Sequence, residues 1–263
     1  MNFKIKLKTP ITYYGGKQTM LKHIMPLLPE HGLYCEPFAG GAAVFFAKER
    51  AKTNVINDLN SSLIAFYKVL KNQPKELKQM IDNLLHSRSA HDHAWYIYSN
   101  PEYFTELQIA WSVFVLSKQG YAGQLSASFG FDKQKGKHPL RLANSKQLLS
   151  AELINLLENT TIECDDALAV IKRYDCVQAF FFVDPPYVGA NMGHYTGMFN
   201  DQNLVELLNL LATIKGKFML TMYPNDVIKS YADKHNWNIT EIERVITASQ
   251  KRRFQKEWII MNY

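Results

Sequence analysis

Apolar residues along this chain gather in short, bounded runs. Ala179-Phe180-Phe181-Phe182-Val183 is apolar throughout, rich in aromatics and too short for most helices, which predicts a buried strand. Leu33-Tyr34-Cys35, Asn54-Val55-Ile56, Ile162-Glu163-Cys164, Lys217–Met222 and residues 258–263 predict further strands. Helical spacing is read over residues 42–47, 59–70, 109–116 and 204–214, the last an amphipathic helix. Strand and helix signals therefore alternate over residues 10–70 and again over 152–263. The stretch between them changes character. It is rich in charged, aromatic and histidine residues, including His86, His91, His93 and Trp95, and Gly120, Gly123, Gly130 and Gly136 punctuate a loop-like or hairpin segment. The pattern predicts an α/β sheet built from residues 1–70 and 151–263 and interrupted by an inserted module, residues 71–150. There is no internal repeat and no low-complexity tract.

The residues just beyond the predicted strands carry the candidate chemistry. The run ending at Val183 stops in Asp184-Pro185-Pro186-Tyr187. Proline lacks a backbone N–H and has a fixed φ, so two in succession end the ladder and stiffen the loop. In open α/β sheets the carboxyl edge of the strands is where ligands bind. A carboxylate there and the carbonyl of Pro185 can accept from the N–H groups of an exocyclic base amine, freeing a lone pair otherwise delocalised into the ring, while Tyr187 can stack on that ring. A base inside a duplex must be flipped out to be reached. The same four residues can also form an ordinary loop.

Glu36-Pro37-Phe38-Ala39-Gly40-Gly41 sits between a predicted strand and a predicted helix. Its glycines permit a sharp turn and close approach of backbone to a ligand. It is neither G-x-G-x-x-G nor followed by Lys-Ser/Thr, and the acid at its head suits a cationic or hydroxyl-bearing ligand better than a phosphate. Asp58, at the end of the next strand, is placed either to bind ribose hydroxyls or to cap a helix. Asp166 is placed either to accept from an adenine amine or to cap a helix. Tyr13-Tyr14-Gly15-Gly16-Lys17 offers a tight approach and a lysine for a carboxylate. S-adenosylmethionine has ribose, adenine, a sulfonium and a carboxylate, and the chain has a candidate partner for each.

Composition narrows the setting. The 263 residues are 47% hydrophobic and 21% charged, an ordinary globular balance. No apolar run is long enough to cross a bilayer, and the first eight residues alternate basic and apolar without a signal-peptide core, so a cytoplasmic location is expected. Cys35, Cys164 and Cys176 are odd in number and lack metal or redox spacing, and no metal is expected. The net charge of +6 is compatible with nucleic acid. Its placement matters more: Lys133, Lys135, Lys137 and Arg141 form one basic cluster and Lys251, Arg252 and Arg253 another, either of them a solvated face or a phosphate-binding one.

Tyr-Gly-Gly-Lys, Glu-Pro-Phe-Ala-Gly-Gly, Asn-Asp and Asp-Pro-Pro-Tyr, in that order, resemble the Dam family of DNA adenine-N6 methyltransferases, whose recognition domain lies between the cofactor and catalytic motifs. The resemblance spans most of the chain, including the closing Glu257-Trp258-Ile259-Ile260-Met261-Asn262-Tyr263. It implies a Rossmann-like S-adenosylmethionine-dependent sheet with an inserted, mainly helical target recognition domain carrying a β-hairpin. It implies that Tyr13, Lys17, Glu36, Phe38, Ala39, Gly40, Asp58, Asp166 and Asp184 hold the cofactor, Lys17 near its carboxylate. Asp184, Pro185, Pro186 and Tyr187 would be catalytic, and residues 188–199, with Gly189, Gly193 and Gly197, a lid over the flipped base. DNA contacts are implied for Lys118, Gln119, Tyr121, Gln124, Ser126, Lys133, Lys135, Lys137, Arg141 and Tyr195, on double-stranded DNA, by a monomer.

The chain departs from the family's GATC readers in two places. They carry a longer hairpin with a guanine-reading Arg, whereas only Gln124-Leu125-Ser126-Ala127-Ser128 lies between Gly123 and Phe129 here. They also carry a Lys where this chain has Thr12. Bidentate reading of guanine normally takes Arg or Lys, so a site other than GATC, or a relaxed one, is expected. Cytosine-N4 methylation, which needs the same acceptors, and a non-catalytic DNA-binding relative are the alternatives. The intact Asp-Pro-Pro-Tyr favours an active adenine enzyme.

Overall fold

The computed structural model describes residues 7–133, 136–187, 199–246 and 253–263. Its strands are β1 (Leu33–Glu36), β2 (Thr53–Asn57), β3 (Thr160–Glu163), β4 (Ala179–Val183), β5 (Lys217–Met222), β6 (Asn238–Ile246) and β7 (Arg253–Met261). They form one sheet in the order β3-β2-β1-β4-β5-β7-β6. The first five pair in parallel, and β7 runs antiparallel to both of its neighbours. Through β5 this is the doubly wound Rossmann order, with β7 slotted between β5 and an edge strand.

Side chains alternate across the sheet, as the period of two requires. Tyr34, Ile56, Phe180, Phe182 and Met219 face one helical layer, formed by α1 (Leu21–Ile24), α2 (Ala43–Ala47), α3 (Ser61–Asn72) and helices of the middle segment. That segment comprises α4 (Pro74–Asp82), α5 (Arg88–Ser99), α6 (Glu106–Gln119) and α7 (Lys137–Lys146), and α8 (Ala151–Glu158) leads back to the sheet. Cys35, Val55, Phe181, Val183 and Leu220 face the other layer, formed by α9 (Ala167–Tyr174), α10 (Asp201–Leu211) and α11 (Asp226–His235). β4 is buried at every position because both of its faces are covered.

The middle segment is helical, but it does not hang off the sheet by a linker. α6 begins in a Thr105/Gln108 capping box and packs against α3 and α5. Its Val113, Phe114 and Leu116 belong to the same buried cluster as Phe180 and Ile56. The expected β-hairpin is reduced to a closed loop among the described residues. Gly120 and Phe129 form an isolated antiparallel bridge, flanked by Tyr121 N donating to Ser128 O (2.9 Å) and Gly130 N donating to Gln119 O (2.7 Å). The reason is local. The chain turns back through left-handed backbone at Ala122 (φ 56°) and Gly123 (φ 71°), leaving too few residues for two paired strands.

β6 and helices α4, α5, α7, α8, α9 and α11 are not predicted by the pattern. β6 is an edge strand with Thr240, Glu241 and Glu243 interrupting its apolar positions, which blurs any alternation. The last strand starts at Arg253 rather than near Trp258, because β6 pairs along its whole length, from Asn238↔Met261 to Ile246↔Arg253. Lys135, the segment 188–198 with Tyr195 and the expected lid glycines, and the side chains of Lys251, Arg252 and Arg253 lie outside the described residues.

Phe181 has no exposure and fills the layer beneath α9 and α10. Phe181→Ala is expected to lower unfolding free energy by about 3–5 kcal/mol, read as a lower urea midpoint with an unchanged slope. A loss below ~1 kcal/mol would mean that β4 is not packed on both faces.

Candidate active site

β1 and β4 are adjacent and parallel, but the chain leaves β1 toward β2 on one side and β4 toward β5 on the other. Loops diverging at such a switch point leave a crevice at the carboxyl ends of the two strands. Here it is a cavity of about 690 Å³. The end of β1 supplies Glu36 to its wall, the turn after it Phe38, the residue after β2 Asp58, the start of α9 Asp166, and the loop after β4 Asp184 to Tyr187.

Asp184 is fastened from two directions. Lys17 Nζ lies 2.7 Å from its carboxylate, and Thr221 on β5 donates to Oδ1 at 2.6 Å. Lys17 is only 4% exposed, also donates to the carbonyl of Gly15 at 3.0 Å, and lies 3.6 Å from Glu257 Oε1 on β7. Burial raises the proton affinity of Asp184, and the Lys17 ammonium and the Lys17 and Thr221 hydrogen bonds pull it back. The short helical turn at Lys17–Thr19 points Lys17 under the β4 loop, where it meets Asp184 and also lines the cavity. Tyr187 lines the cavity with its hydroxyl anchored. It is 7% exposed, its hydroxyl donates to Glu257 at 2.5 Å, and its ring meets Tyr223 edge-on at 4.5 Å between centroids. Burial and the carboxylates of Asp184 and Glu257 push its phenol well above the usual range.

The other half of the cavity is preshaped by backbone. Gly40 sits at φ +47°, where a Cβ would meet the Tyr13 ring at 3.0 Å, so glycine is required twice over. Its N–H donates to Asp58 Oδ2 at 2.9 Å, and its carbonyl accepts the Tyr67 hydroxyl at 2.7 Å. Asp58 Oδ1 accepts from Asn60 N, and Asn60, not Asp58, caps α3. Asp166 does cap its helix, accepting from Ala169 N at 3.0 Å, and still faces the cavity. Phe38 contributes a ring, edge-on to Phe199 at 6.2 Å. Glu36 is 1% exposed and accepts from the Tyr34 hydroxyl and Phe45 N, both at 2.6 Å. Burial pushes it up to about 8, so at neutral pH it holds its proton unless a cation approaches. Carboxyls on the wall, an aromatic face and a backbone that admits close contact suit a cationic nucleoside such as S-adenosylmethionine.

A family model for D12 class N6 adenine-specific DNA methyltransferases matches residues 13–248, which run from the glycine turn past the β4 loop. The chain belongs to that family. Among its relatives, the type II methyltransferase M.CviBI of Paramecium bursaria Chlorella virus NC1A is 25% identical over 231 residues, covering 86% of this chain and 87% of the relative. The type II methyltransferase M1.LlaDCHI of Lactococcus lactis subsp. cremoris is 26% identical, covering 99% and 97%. M.MjaIII of Methanocaldococcus jannaschii is 26% identical, covering 98% and 100%. The protein is an adenine-specific DNA methyltransferase, and its methyl donor is S-adenosylmethionine.

Among the described residues expected to meet DNA, all but Gln119 are at least partly exposed in this methyltransferase. Gln119 is fully buried: its amide donates to Leu85 O at 2.8 Å and accepts from Ser87 N at 3.1 Å, tying α6 to the start of α5. It is an internal brace and is not available to a base edge. Tyr121 is 63% exposed, Gln124 and Ser126 are half-buried, and Lys133, Lys137 and Arg141 are exposed around the start of α7. Lys118 is half-buried and donates to Thr12 Oγ1 at 3.2 Å. Its ammonium therefore stands at Thr12, where the GATC readers carry a lysine of their own, and burial lowers it to about 7. The contact between Thr12 and the closed loop is tight, since a Cβ on Gly123 would lie 2.5 Å from Thr12 Cγ2. Thr221, Tyr223 and Glu257 complete the site, although sequence reasoning misses them. They lie on or beside β5 and β7; Glu257 opens the closing stretch of the family resemblance, but no local signal gives any of the three a role.

Glu36 sets a pH prediction. The folded protein keeps its proton to about 8 while an unfolded glutamate releases it near 4.5, so folding takes up a proton and stability falls as pH rises across that window. Glu36→Gln carries no such proton. Its melting temperature relative to wild type is expected to improve steadily from pH 5 to pH 8, measured by thermal scans in matched buffers. A pH-independent offset would contradict a buried carboxyl that holds its proton.

Proposed function

We propose that this methyltransferase transfers the methyl group to N6 of an adenine flipped out of double-stranded DNA, with Asp184 as the acceptor that activates the amine. One arrangement supports this reading: a carboxylate held by Lys17 and Thr221 at the end of β4, on the wall of the cavity that also carries Phe38, Gly40, Asp58 and Asp166. Asp184 accepts from one N–H of the amine, and the rigid Pro185-Pro186 turn brings a carbonyl to the other. Donating both protons draws the nitrogen toward sp³ and localises its lone pair. Since Lys17 and Thr221 fix the carboxylate beforehand, little reorganisation is needed as charge develops. Phe38, Ala39 and Gly40 line the methionine side of the donor, Asp58 and Asp166 stand for its ribose and adenine, and Tyr13 closes over Gly40. When bound, the donor supplies an electrophilic methyl group, and the proton lost from N6 leaves to solvent.

Residues 71–150 are the proposed target recognition unit, working as an intracellular monomer on duplex DNA. Lys133, Lys137 and Arg141 hold phosphates, which position the duplex without reading it. Lys118 and the closed loop 120–129, with Tyr121, Gln124 and Ser126, face the bases. With no arginine in that loop, the site differs from GATC or is relaxed.

Asp184→Asn keeps the shape and loses the charge, and is expected to cut the single-turnover rate on the order of 10²–10³-fold, with DNA affinity retained. The rate is followed by transfer of labelled methyl groups to DNA, and near wild-type transfer would overturn the assignment. Lys137→Ala/Arg141→Ala is expected to weaken binding to all sequences alike and to lower the slope of log K against log salt by about 0.9 for each phosphate no longer neutralised. An unchanged slope would place these side chains off the DNA. Single-molecule sequencing of DNA from a methylase-deficient host expressing the protein would reveal the recognised sequence.

A further inference from the structure

Glu257 lies on β7, far along the chain from Tyr13–Lys17, Glu36–Gly41, Asp58 and Asp184–Tyr187, yet its carboxylate reaches the Lys17–Asp184 pair. It is 1% exposed, accepts the Tyr187 hydroxyl at 2.5 Å and lies 3.6 Å from Lys17 Nζ. The same Nζ is 2.7 Å from Asp184. One ammonium therefore stands between two carboxylates. β7 brings Glu257 there through its pairing with β5, where Trp258 faces Met222 and Ile259 faces Thr221, the residue that donates to Asp184 Oδ1.

The two charges act on Asp184 in opposite senses. Lys17 lowers its proton affinity and Glu257 raises it. An acceptor held by an undivided ammonium has less density to offer an incoming N–H, and a second carboxylate drawing on that ammonium restores it. We propose that Glu257 is a positioning residue for methyl transfer: by sharing Lys17 and anchoring Tyr187 it keeps Asp184 aimed at, and strong enough for, the target amine. The inference rests on Asp184 being the acceptor of the amine.

The test uses the full chain and the substitutions Glu257→Gln, Lys17→Met and the two combined. Glutamine keeps the volume and an oxygen for the Tyr187 hydroxyl but removes the charge. Expected for Glu257→Gln is a single-turnover rate, with both substrates saturating, about 10- to 100-fold below wild type. Affinities for S-adenosylmethionine and for a duplex oligonucleotide, measured by titration, should move less than about 3-fold, with the melting temperature kept. In the Lys17→Met background the further change Glu257→Gln is expected to cost nothing more, because the charge it balanced is gone. Losses that multiply in the double variant would mean that Glu257 acts independently of Lys17 and would overturn the proposal. So would a Glu257→Gln enzyme that keeps its rate, or one that loses affinity and melting temperature in step with rate. Asp184→Asn separates the two levels: an inactive Asp184→Asn beside a fully active Glu257→Gln defeats this inference alone, whereas an active Asp184→Asn defeats the reading beneath it. If Glu257→Gln does not fold, the coupling is read from Lys17→Met against the double variant, where both charges are absent.

Discussion

A lysine buried between two carboxylates ties this molecule together. Lys17 comes from the turn before α1, Asp184 from the end of β4 and Glu257 from β7, so three distant parts of the chain meet at one ammonium. A buried charge without a partner costs several kcal/mol, and two carboxylates side by side would suppress each other's ionisation. The ammonium is therefore tolerable only with a carboxylate beside it. That is a strong constraint on how the N-terminal segment, the central strand and the last strand must sit.

The sheet explains why the cluster adjoins a cavity. At the switch between β1 and β4 the chain diverges, and the loops after these two strands cannot fill the crevice between them. One wall is rigid because prolines fix it, the other because Gly40 is locked by Asp58, Tyr67 and the Tyr13 ring. The proposed donor site and acceptor site are thus preshaped by different means, proline stiffness on one side and a left-handed glycine on the other. Both follow directly on buried strands, β1 and β4.

The helical middle segment is coupled to this frame more closely than a separate module would be. α6 shares the core with the sheet, and Gln119 braces it to α5 from inside. The closed loop after α6 is pressed against Thr12, only five residues before Lys17. Any group that engages Lys118 or that loop therefore presses on the segment carrying the active-site lysine. In this arrangement the loop proposed to face the bases and the proposed catalytic cluster are neighbours in space, although the sequence sets the loop and the β4 motif about sixty residues apart.

The sequence alone determined the class of fold, the family and half of the site. Short apolar runs ending in Glu36-Pro37-Phe38-Ala39-Gly40-Gly41, Asn57-Asp58 and Asp184-Pro185-Pro186-Tyr187 were legible because strand, turn and candidate ligand lie within a few residues of one another. β1, β2, β4, β5 and α3 are marked by the same local signals. Local signals carry no distance between segments, and that is their limit. That Lys17 reaches Asp184, that the Tyr187 hydroxyl reaches Glu257 and that Gln119 points inward were decided by packing. Nothing local gave Thr221 or Glu257 a role, because what places them is the register of β7 against β5. The edge strand β6 and the short loop 120–129 were obscured for a related reason: charged residues break the pattern of the first, and two left-handed residues close the second before strands can form. Chemistry written in adjacent residues could be read from the chain, and chemistry assembled across the sheet required the tertiary structure.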